Sequence, residues 1–161
     1  MNFDYKKVLI MGYAKSGLAV EEILKHIHVE YQIYDKSHRI NGGGYLNKLS
    51  KKKILEFDLI VISPAISIFN KYVSFAEKSG IKVVGEMEFG YWFTSSPVIA
   101  ITGTNGKTTT TSLTQKIIST SFSSSAYGNI GTPLCEAYGL TLDYLVCEVS
   151  SFQLERTYSF N

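Results

Sequence analysis

Cysteine and histidine are both scarce in this sequence. Only Cys135 and Cys147 are present among 161 residues, and they do not form a CxxC pattern, which argues against a structural zinc site and against a disulfide framework. The three histidines, His26, His28 and His38, show no metal-ligand spacing. Two isolated cysteines fit a reducing compartment, and we expect the protein to be cytoplasmic.

An excess of charge and long apolar runs are also absent. The net charge is +2, too small to indicate nucleic-acid binding, and the basic cluster at residues 51–53 has no interleaved aromatic residues that could stack on bases. The N-terminal apolar run at residues 8–11 is interrupted by Gly12 and Lys15, well before the length of a signal peptide or a membrane helix. We therefore expect a globular protein that binds neither nucleic acid nor a membrane.

Residues 98–108, VIAITGTNGKT, have the layout of a phosphate-binding loop. Four apolar residues of a predicted buried strand run into a turn that contains Gly103 and Gly106, and Lys107 and Thr108 then open a predicted helix. Glycines let the backbone approach a phosphate, the N–H groups at a helix start attract anions, lysine reaches the outer phosphates, and the following hydroxyl is suited to Mg²⁺. The match to the general pattern is incomplete, because an isoleucine occupies the position of the first glycine. The order of strand, glycines and helix still favours phosphate binding over an ordinary helix start with a solvated lysine.

Glu148 stands near the end of the apolar stretch at residues 145–149, which predicts a buried strand. Burying an unpartnered carboxylate costs on the order of several kcal/mol, so this group should be paired or bound to a cation. A phosphate loop beside it would provide the reason, with Mg²⁺ held between Thr108, Glu148 and nucleotide oxygens. A salt-bridged or edge-exposed glutamate is the alternative.

The turn from Gly12 to Gly17 lies where a dinucleotide-binding fingerprint would lie, between a predicted strand and a predicted helix. Asp35 follows Gly17 by 18 residues, close to the offset of a ribose-binding acid. Ala14 replaces the middle glycine, where a pyrophosphate needs bare backbone, so NAD is disfavoured against another nucleotide-bearing ligand or a purely structural turn. Ser16 is available as a cap for the helix.

Strand and helix patterns alternate along the chain, which predicts an α/β protein with parallel sheets flanked by helices. Residues 36–56, which include a glycine run at 42–44, carry little predicted structure. The polar break at residues 95–97 precedes the phosphate-loop strand, and we expect a domain boundary there, between residues 1–96 and 97–161. The second part supplies only three strands, so we expect the chain to be a fragment of a longer protein.

Three motifs, taken in order, resemble the Mur ligases, ATP-dependent amide-forming enzymes of peptidoglycan synthesis and hence of bacterial cell-wall biogenesis. They are GTNGKTT at residues 103–109, GNIG at 128–131 and EVSSFQLE at 148–155. The likeness covers essentially the whole chain, and within the family it is greatest for the member that adds D-glutamate to UDP-N-acetylmuramoyl-L-alanine. The resemblance implies a Rossmann-like parallel-sheet domain for the UDP-linked substrate, followed by the first part of a P-loop central ATPase domain.

The resemblance also implies a mechanism, in which ATP phosphorylates the substrate carboxylate and the amine of D-glutamate attacks the acyl phosphate. Lys107 would stabilise phosphate charge, while Thr108 and Glu148 would hold Mg²⁺. The ATP loop would consist of Gly103, Thr104, Asn105, Gly106, Lys107, Thr108 and Thr109.

For the UDP-linked substrate, the resemblance implies contacts in two regions. Lys15 and Ser16 would lie at the diphosphate, and Asp35 near the uracil. Asn129, Ser150 and Gln153 would line the adjoining cleft, although from the residues alone Asn129 equally fits an ordinary glycine-rich turn, and Ser150 equally fits a helix cap.

Three alternatives remain open from the sequence. Another Mur ligase or a folylpolyglutamate synthetase would share the Gly-Thr-Asn-Gly-Lys loop type, and the SFQL sequence at residues 151–154 argues against both. A non-catalytic nucleotide-binding module is the third. If the ligase reading is right, we expect this chain alone not to catalyse ligation, because the family's further catalytic residues and its amino-acid-binding domain are not in it.

Overall fold

The computed structural model describes residues 3–37, 44–67 and 69–160. The first two glycines of the predicted run, at 42–43, and His38 lie outside these ranges. The described residues form two parallel sheets, with strand order β2-β1-β3-β4 in the first and β5-β7-β6 in the second. The strands are β1 Lys7–Met11, β2 Glu30–Tyr34, β3 Leu59–Ile62, β4 Lys82–Gly85, β5 Val98–Ile101, β6 Ser124–Gly128 and β7 Tyr144–Glu148. The prediction of an α/β protein with parallel sheets is confirmed.

Helices connect the strands, as parallel pairing requires. They are α1 Lys15–His26, α2 Lys51–Ile54, α3 Lys71–Lys78, α4 Glu86–Tyr91, α5 Lys107–Ile118, α6 Ser151–Leu154 and a short 3-10 helix at Leu134–Ala137. Among the helices in the described ranges, none is long and apolar enough to cross a membrane.

The first sheet is covered on both faces, which explains why its strands are apolar throughout. Val8 and Ile10 of β1 point to the face that α1 covers. Leu9 and Met11 point to the opposite face, where they pack with residues of α3. All four side chains are at most 1% exposed, and burying an aliphatic side chain of this size contributes about 1.5–3 kcal/mol.

The second sheet has β7 in the middle, paired in parallel with β5 on one side and β6 on the other. Residues 145–149 are buried, whereas α5 on this sheet buries only Thr111. The register aligns Ile101 of β5 and Gly128 of β6 with Glu148 of β7. The carboxyl ends of the three strands therefore meet at one edge.

Helix α4 contributes to the cores of both sheets. Its Phe89 belongs to the cluster around α1 and the first sheet, while Met87 packs among buried residues of the second sheet. Glu88, between them, accepts hydrogen bonds from the backbone N–H groups of Tyr158 and Ser159. The C-terminal segment is thus tied to α4, and the domain boundary at residue 97 stays a prediction.

One local prediction is wrong. Ser16 does not cap α1, because the helix begins at Lys15 and Ala14 takes the N-cap position without a side-chain hydrogen bond. Residues 36–56, for which little structure is predicted, contain the four-residue helix α2 among their described residues. The hydroxyl of Ser50 accepts the N–H of Lys53 at the start of α2, and Ile54 at its end is fully buried, so a cap and one apolar anchor suffice for this short helix.

Candidate functional site

The predicted phosphate loop connects β5 to α5 at the edge where the strands of the second sheet end. Gly106 is the N-cap of α5 and has φ +76°, a left-handed conformation that favours glycine. No side chain caps this helix start, so the N–H groups of its first turn remain directed out of the helix. Such an arrangement attracts anions.

The predicted ATP-binding residues form one continuous surface around this helix start. Lys107 lies over the loop, with its Nζ donating to the carbonyl oxygen of Gly103 at 2.7 Å. Thr104, Asn105, Thr108 and Thr109 are exposed. The loop therefore presents backbone donors, one ammonium group and hydroxyl groups at the surface around this helix start.

Glu148 is buried, with 2% of its surface exposed, and its carboxylate is paired by two neutral donors. Oε2 accepts the hydroxyl of Thr108 at 2.7 Å, and Oε1 accepts the side-chain amide of Asn129 at 2.9 Å. Within the residues that the structure describes, no lysine, arginine or histidine forms a salt bridge with it, and it sits on the central strand. Both alternatives, a salt-bridged and an edge-exposed glutamate, are therefore wrong.

The backbone at the end of β6 is held tightly against the same glutamate. Asn129 donates its N–H to the carbonyl oxygen of Glu148 at 2.9 Å. Gly128 has φ +91°, and a Cβ atom placed on it would lie 2.2 Å from that carbonyl oxygen. Glycine is needed here for two reasons, the left-handed conformation and the close approach of the two backbones.

A cavity of about 180 Å³ lies between the first turn of α1 and the end of β6. It collects four of the six predicted substrate residues, namely Lys15, Ser16, Asn129 and Gln153. The Nζ of Lys15 donates to the carbonyl oxygen of Gly131 at 3.3 Å, which joins the two sides of the cavity. The residues predicted to contact the diphosphate and those predicted to line the cleft are thus neighbours.

The other two predicted substrate residues do not line this cavity. Ser150 caps α6: its hydroxyl accepts the N–H of Gln153, and the Gln153 side chain accepts the N–H of Ser150 in return. Asp35 follows β2 and accepts the N–H groups of Tyr13 at 2.6 Å and Ser37 at 2.7 Å. Asp35 thereby fixes the turn after β1, at the same edge of the first sheet.

One acidic residue at the cavity, Glu86, is absent from the sequence-based predictions. It lines the same 180 Å³ space and is 2% exposed, and its Oε1 accepts the N–H of Cys135 at 2.8 Å. Burial raises the pKa of this carboxyl above its usual range. Its sequence context, an acid at the end of the apolar strand β4, is the same signal that pointed to Glu148.

The donor chemistry at Thr108 and Glu148 fits Mg²⁺. A hydroxyl and a carboxylate oxygen are hard ligands of the kind that this ion prefers. Within the described ranges, no group of three or more His, Cys, Asp and Glu side chains could hold a metal ion by itself. The remaining ligands would have to be nucleotide oxygens and water, as is usual for Mg²⁺ at a phosphate loop.

Comparison with known proteins gives the family. Residues 6–85 match the family model described as Mur ligase MurD-like, N-terminal domain. Over 99% of its length, the chain is 38% identical to the UDP-N-acetylmuramoylalanine–D-glutamate ligase of Pelotomaculum thermopropionicum. The chain belongs to the Mur ligase family. A second relative of the same name, from Lachnoclostridium phytofermentans, is 36% identical over 99% of the chain. The family is ATP-dependent, and the sequence-based assignment to it is confirmed.

The chain spans 38–39% of the length of these two curated relatives. Solved structures of the family have the same fold at low sequence identity. The UDP-N-acetylmuramate:L-alanyl-γ-D-glutamyl-meso-diaminopimelate ligase of Neisseria meningitidis superimposes on 91% of this chain and 55% of its own, with a TM-score of 0.52 and 16% identity. The UDP-N-acetylmuramate–alanine ligase of Thermotoga maritima covers 91% of this chain and 37% of its own, with a TM-score of 0.50 and 16% identity. These structures support the Rossmann-like fold alone.

Proposed function

We propose that this chain carries two parts of a ligase that adds D-glutamate to UDP-N-acetylmuramoyl-L-alanine. Residues 1–96 would form the domain that binds the UDP-linked substrate, and residues 97–161 the first part of the ATP-binding domain. The names of the relatives support this activity. The observation that carries the proposal is the 2.7 Å contact between Thr108 and Glu148, because it joins a phosphate-binding helix start to a buried carboxylate.

The ATP site in this proposal is the loop at residues 103–109. The exposed N–H groups at the start of α5 bind phosphate oxygens, and Lys107 turns from the Gly103 carbonyl to the outer phosphates. Bound between Thr108, Glu148 and those phosphates, Mg²⁺ would supply the charge neutralisation that phosphoryl transfer requires. Glu148 is suited to this position because its two present partners are neutral, so its negative charge is not cancelled by a protein cation.

The UDP-linked substrate extends across the first sheet towards this loop. Lys15 and Ser16, at the start of α1, contact the diphosphate, where a helix N-terminus and an ammonium group both favour anions. Asp35 lies near the uracil. Asn129, Ser150 and Gln153 belong to the cleft that leads to the reacting end of the substrate, and the amide of Asn129 connects this cleft to Glu148.

The chemistry then follows in two balanced steps. The substrate carboxylate attacks the γ-phosphorus of ATP, and the bond to ADP breaks to give an acyl phosphate. The amine of D-glutamate attacks the acyl carbon, loses a proton, and inorganic phosphate leaves as the amide forms. The first step brings two anions together, so the role of Lys107 is to stabilise the charge that develops on the transferred group.

Titration calorimetry tests the proposal on the purified chain. We expect UDP-N-acetylmuramoyl-L-alanine to bind at least about tenfold more tightly than ADP-ribose, a nucleotide diphosphate sugar with a different base. Equal affinities, or no binding of the UDP-linked compound, would contradict the proposal.

We expect the protein to act in the cytoplasm, where ATP is available.

A further inference from the structure

Glu86 is buried at a meeting point of the two sheets, and the mechanism above does not use it. It is the first residue of α4, directly after β4 of the first sheet. Its Oε1 accepts the N–H of Cys135, in the 3-10 helix that packs beside the second sheet. Hydrogen bonding with the Cys135 side chain and the Leu134 backbone also acts on this carboxyl group and opposes the effect of burial on its pKa. A carboxyl group offers several acceptor sites and, when protonated, one O–H donor, so bonding capacity remains for a ligand.

The side chain of Glu86 lies between two cavities. On one side is the 180 Å³ cavity, with Lys15, Asn129 and Gln153 in its wall. On the other side is a larger and more apolar cavity of about 350 Å³, which Phe152 and Arg156 also line. Glu86 is therefore placed to reach a molecule bound in the smaller cavity, although only 2% of its surface is exposed.

The charged and titratable groups around Glu86 favour its protonated form. Burial is the main cause of its raised pKa, and the nearby carboxylate of Glu136 raises it further. Burial also raises the pKa of the two neighbouring thiols, for Cys147 to about 12 and for Cys135 well above its usual value, so neither of them adds charge. Two cationic side chains line these cavities, Arg156 and Lys15. Arg156 is paired with Glu77, and the Nζ of Lys15 donates to the carbonyl oxygen of Gly131.

The position of the cavity indicates which part of the substrate would face this acid. Lys15 and Ser16, proposed for the diphosphate, form one side of it, and Asn129, which leads to Glu148, forms the other. The amino sugar is the part of the substrate that joins the diphosphate to the reacting carboxylate. An ionised carboxylate here would repel both anionic ends, whereas a protonated one donates a hydrogen bond at no such cost.

We propose that Glu86 is a substrate-binding residue that, as a protonated acid, donates a hydrogen bond to an oxygen of the amino sugar. This inference rests on the proposed function. The other proposed substrate-binding side chains at this cavity are the ammonium group of Lys15, the hydroxyl of Ser16 and the amides of Asn129 and Gln153. Glu86 would add a protonated carboxyl group to them.

Two variants of the purified chain test the hydrogen bond by calorimetry, with UDP-N-acetylmuramoyl-L-alanine and UDP as ligands. Glu86→Gln keeps the size and an N–H donor, and we expect its affinity for the sugar substrate to stay within about twofold of wild type. Glu86→Met keeps the size and loses the donor, and we expect a loss of about tenfold. Both variants should bind UDP like wild type, which also shows that the first sheet and its turns are intact. Wild-type affinity in Glu86→Met, or an equal loss in both variants, would overturn the inference.

Measuring substrate affinity over a range of pH tests the role of Glu86 even if Glu86→Met does not fold. The affinity of wild type for the sugar substrate should fall as the pH rises through the raised pKa of Glu86, because the ionised form cannot donate. The affinity of Glu86→Gln should not show this fall. Identical pH profiles for the two proteins would refute the role of Glu86. If wild type fails to bind the UDP-linked substrate at any pH, the proposed function itself has failed.

Discussion

Thr108 and Glu148 are 40 positions apart in the chain, yet the hydroxyl of Thr108 donates to the Glu148 carboxylate at 2.7 Å. The contact depends on the strand order, because β7 lies next to β5 and the end of β5 leads into the loop before α5. The first turn of α5 is thereby fixed against the central strand. A nucleotide phosphate bound at this helix start would lie within reach of a buried carboxylate without any rearrangement of the sheet.

Replacing Glu148 with glutamine should separate metal binding from folding. The amide can accept from Asn129 and donate to Thr108, so we expect the free energy of unfolding to change by less than about 1 kcal/mol. It is a much weaker ligand for Mg²⁺ than a carboxylate. We therefore expect that Mg-ATP raises the Tm of wild type and does not raise the Tm of Glu148→Gln.

Glu155, the exposed glutamate at the end of the EVSSFQLE motif at residues 148–155, provides the control. Mg-ATP should raise the Tm of Glu155→Gln as much as that of wild type, and EDTA should abolish this rise in both proteins. An unchanged response in Glu148→Gln would remove this residue from the metal site.

Gly128 should be intolerant of even one methyl group. Alanine at a φ of +91° is strained by about 1–2 kcal/mol, and its Cβ would also meet the Glu148 carbonyl oxygen, which cannot move without shifting β7. Gly139 has a similar φ of +75° with no atom within 4 Å of the added Cβ. In urea unfolding, we expect Gly128→Ala to lose about 1–3 kcal/mol more than Gly139→Ala. Equal losses would show that the close approach adds nothing to the backbone strain.

The architecture could be predicted from the sequence because the signals for it are local. In this chain, apolar runs of four or five residues alternate with amphipathic stretches and end near glycine or proline, a combination that favours buried parallel strands. The wrong prediction is also local, because Ser16 is a good capping residue in a position where α1 has already begun. The helix α2 has only four residues, too few to give a periodic pattern.

Without the family resemblance, the candidate site could be predicted only where one motif carries its own chemistry. The loop before α5 and Glu148 are predicted in this way, each from a few consecutive residues. The hydrogen bond from Asn129 to Glu148 and the approach of Glu86 to the cavity both depend on which strands are neighbours. Strand order is decided by long-range packing, which a single sequence does not reveal, so these two features emerged only from the structure.

Asp35 should affect substrate binding through the turn that it holds. Asp35→Ala removes the acceptor for the N–H groups of Tyr13 and Ser37 as well as the proposed contact near the uracil. We expect calorimetry to show a loss of affinity for UDP-N-acetylmuramoyl-L-alanine of about tenfold or more.

Asp58 is a matched control for this experiment. It accepts the N–H groups of Lys6 and Lys7, so it makes the same kind of backbone contact at the end of the same sheet where the strands begin. Asp58→Ala should lower stability without changing substrate affinity. If both variants bind the substrate equally well, Asp35 is not part of the substrate site.

Two buried glutamates of α4 should give opposite pH dependences of stability. Burial of Glu88 by itself would raise its pKa, but the hydrogen bonds from Ser159, Tyr158 and Trp92 outweigh it and lower the pKa overall. Its contribution to stability is therefore complete above the pKa of the unfolded chain and is lost as the pH falls through the lower folded value. For Glu86, the raised pKa means the reverse: the folded state loses stability as the pH rises from the unfolded value through the folded one.

Urea unfolding between pH 3 and about pH 9 measures both effects. Trp92, the only tryptophan of the chain, is a direct probe, since its Nε1 donates to Glu88 at 2.8 Å. We expect Glu88→Gln to lose stability at neutral pH and to be less sensitive than wild type to acid. Glu86→Gln should instead approach or exceed wild-type stability at the alkaline end, where wild type must hold a buried carboxylate. A steeper loss in acid for Glu88→Gln, or a growing deficit for Glu86→Gln as the pH rises, would mean that the folded pKa of that glutamate is shifted in the other direction.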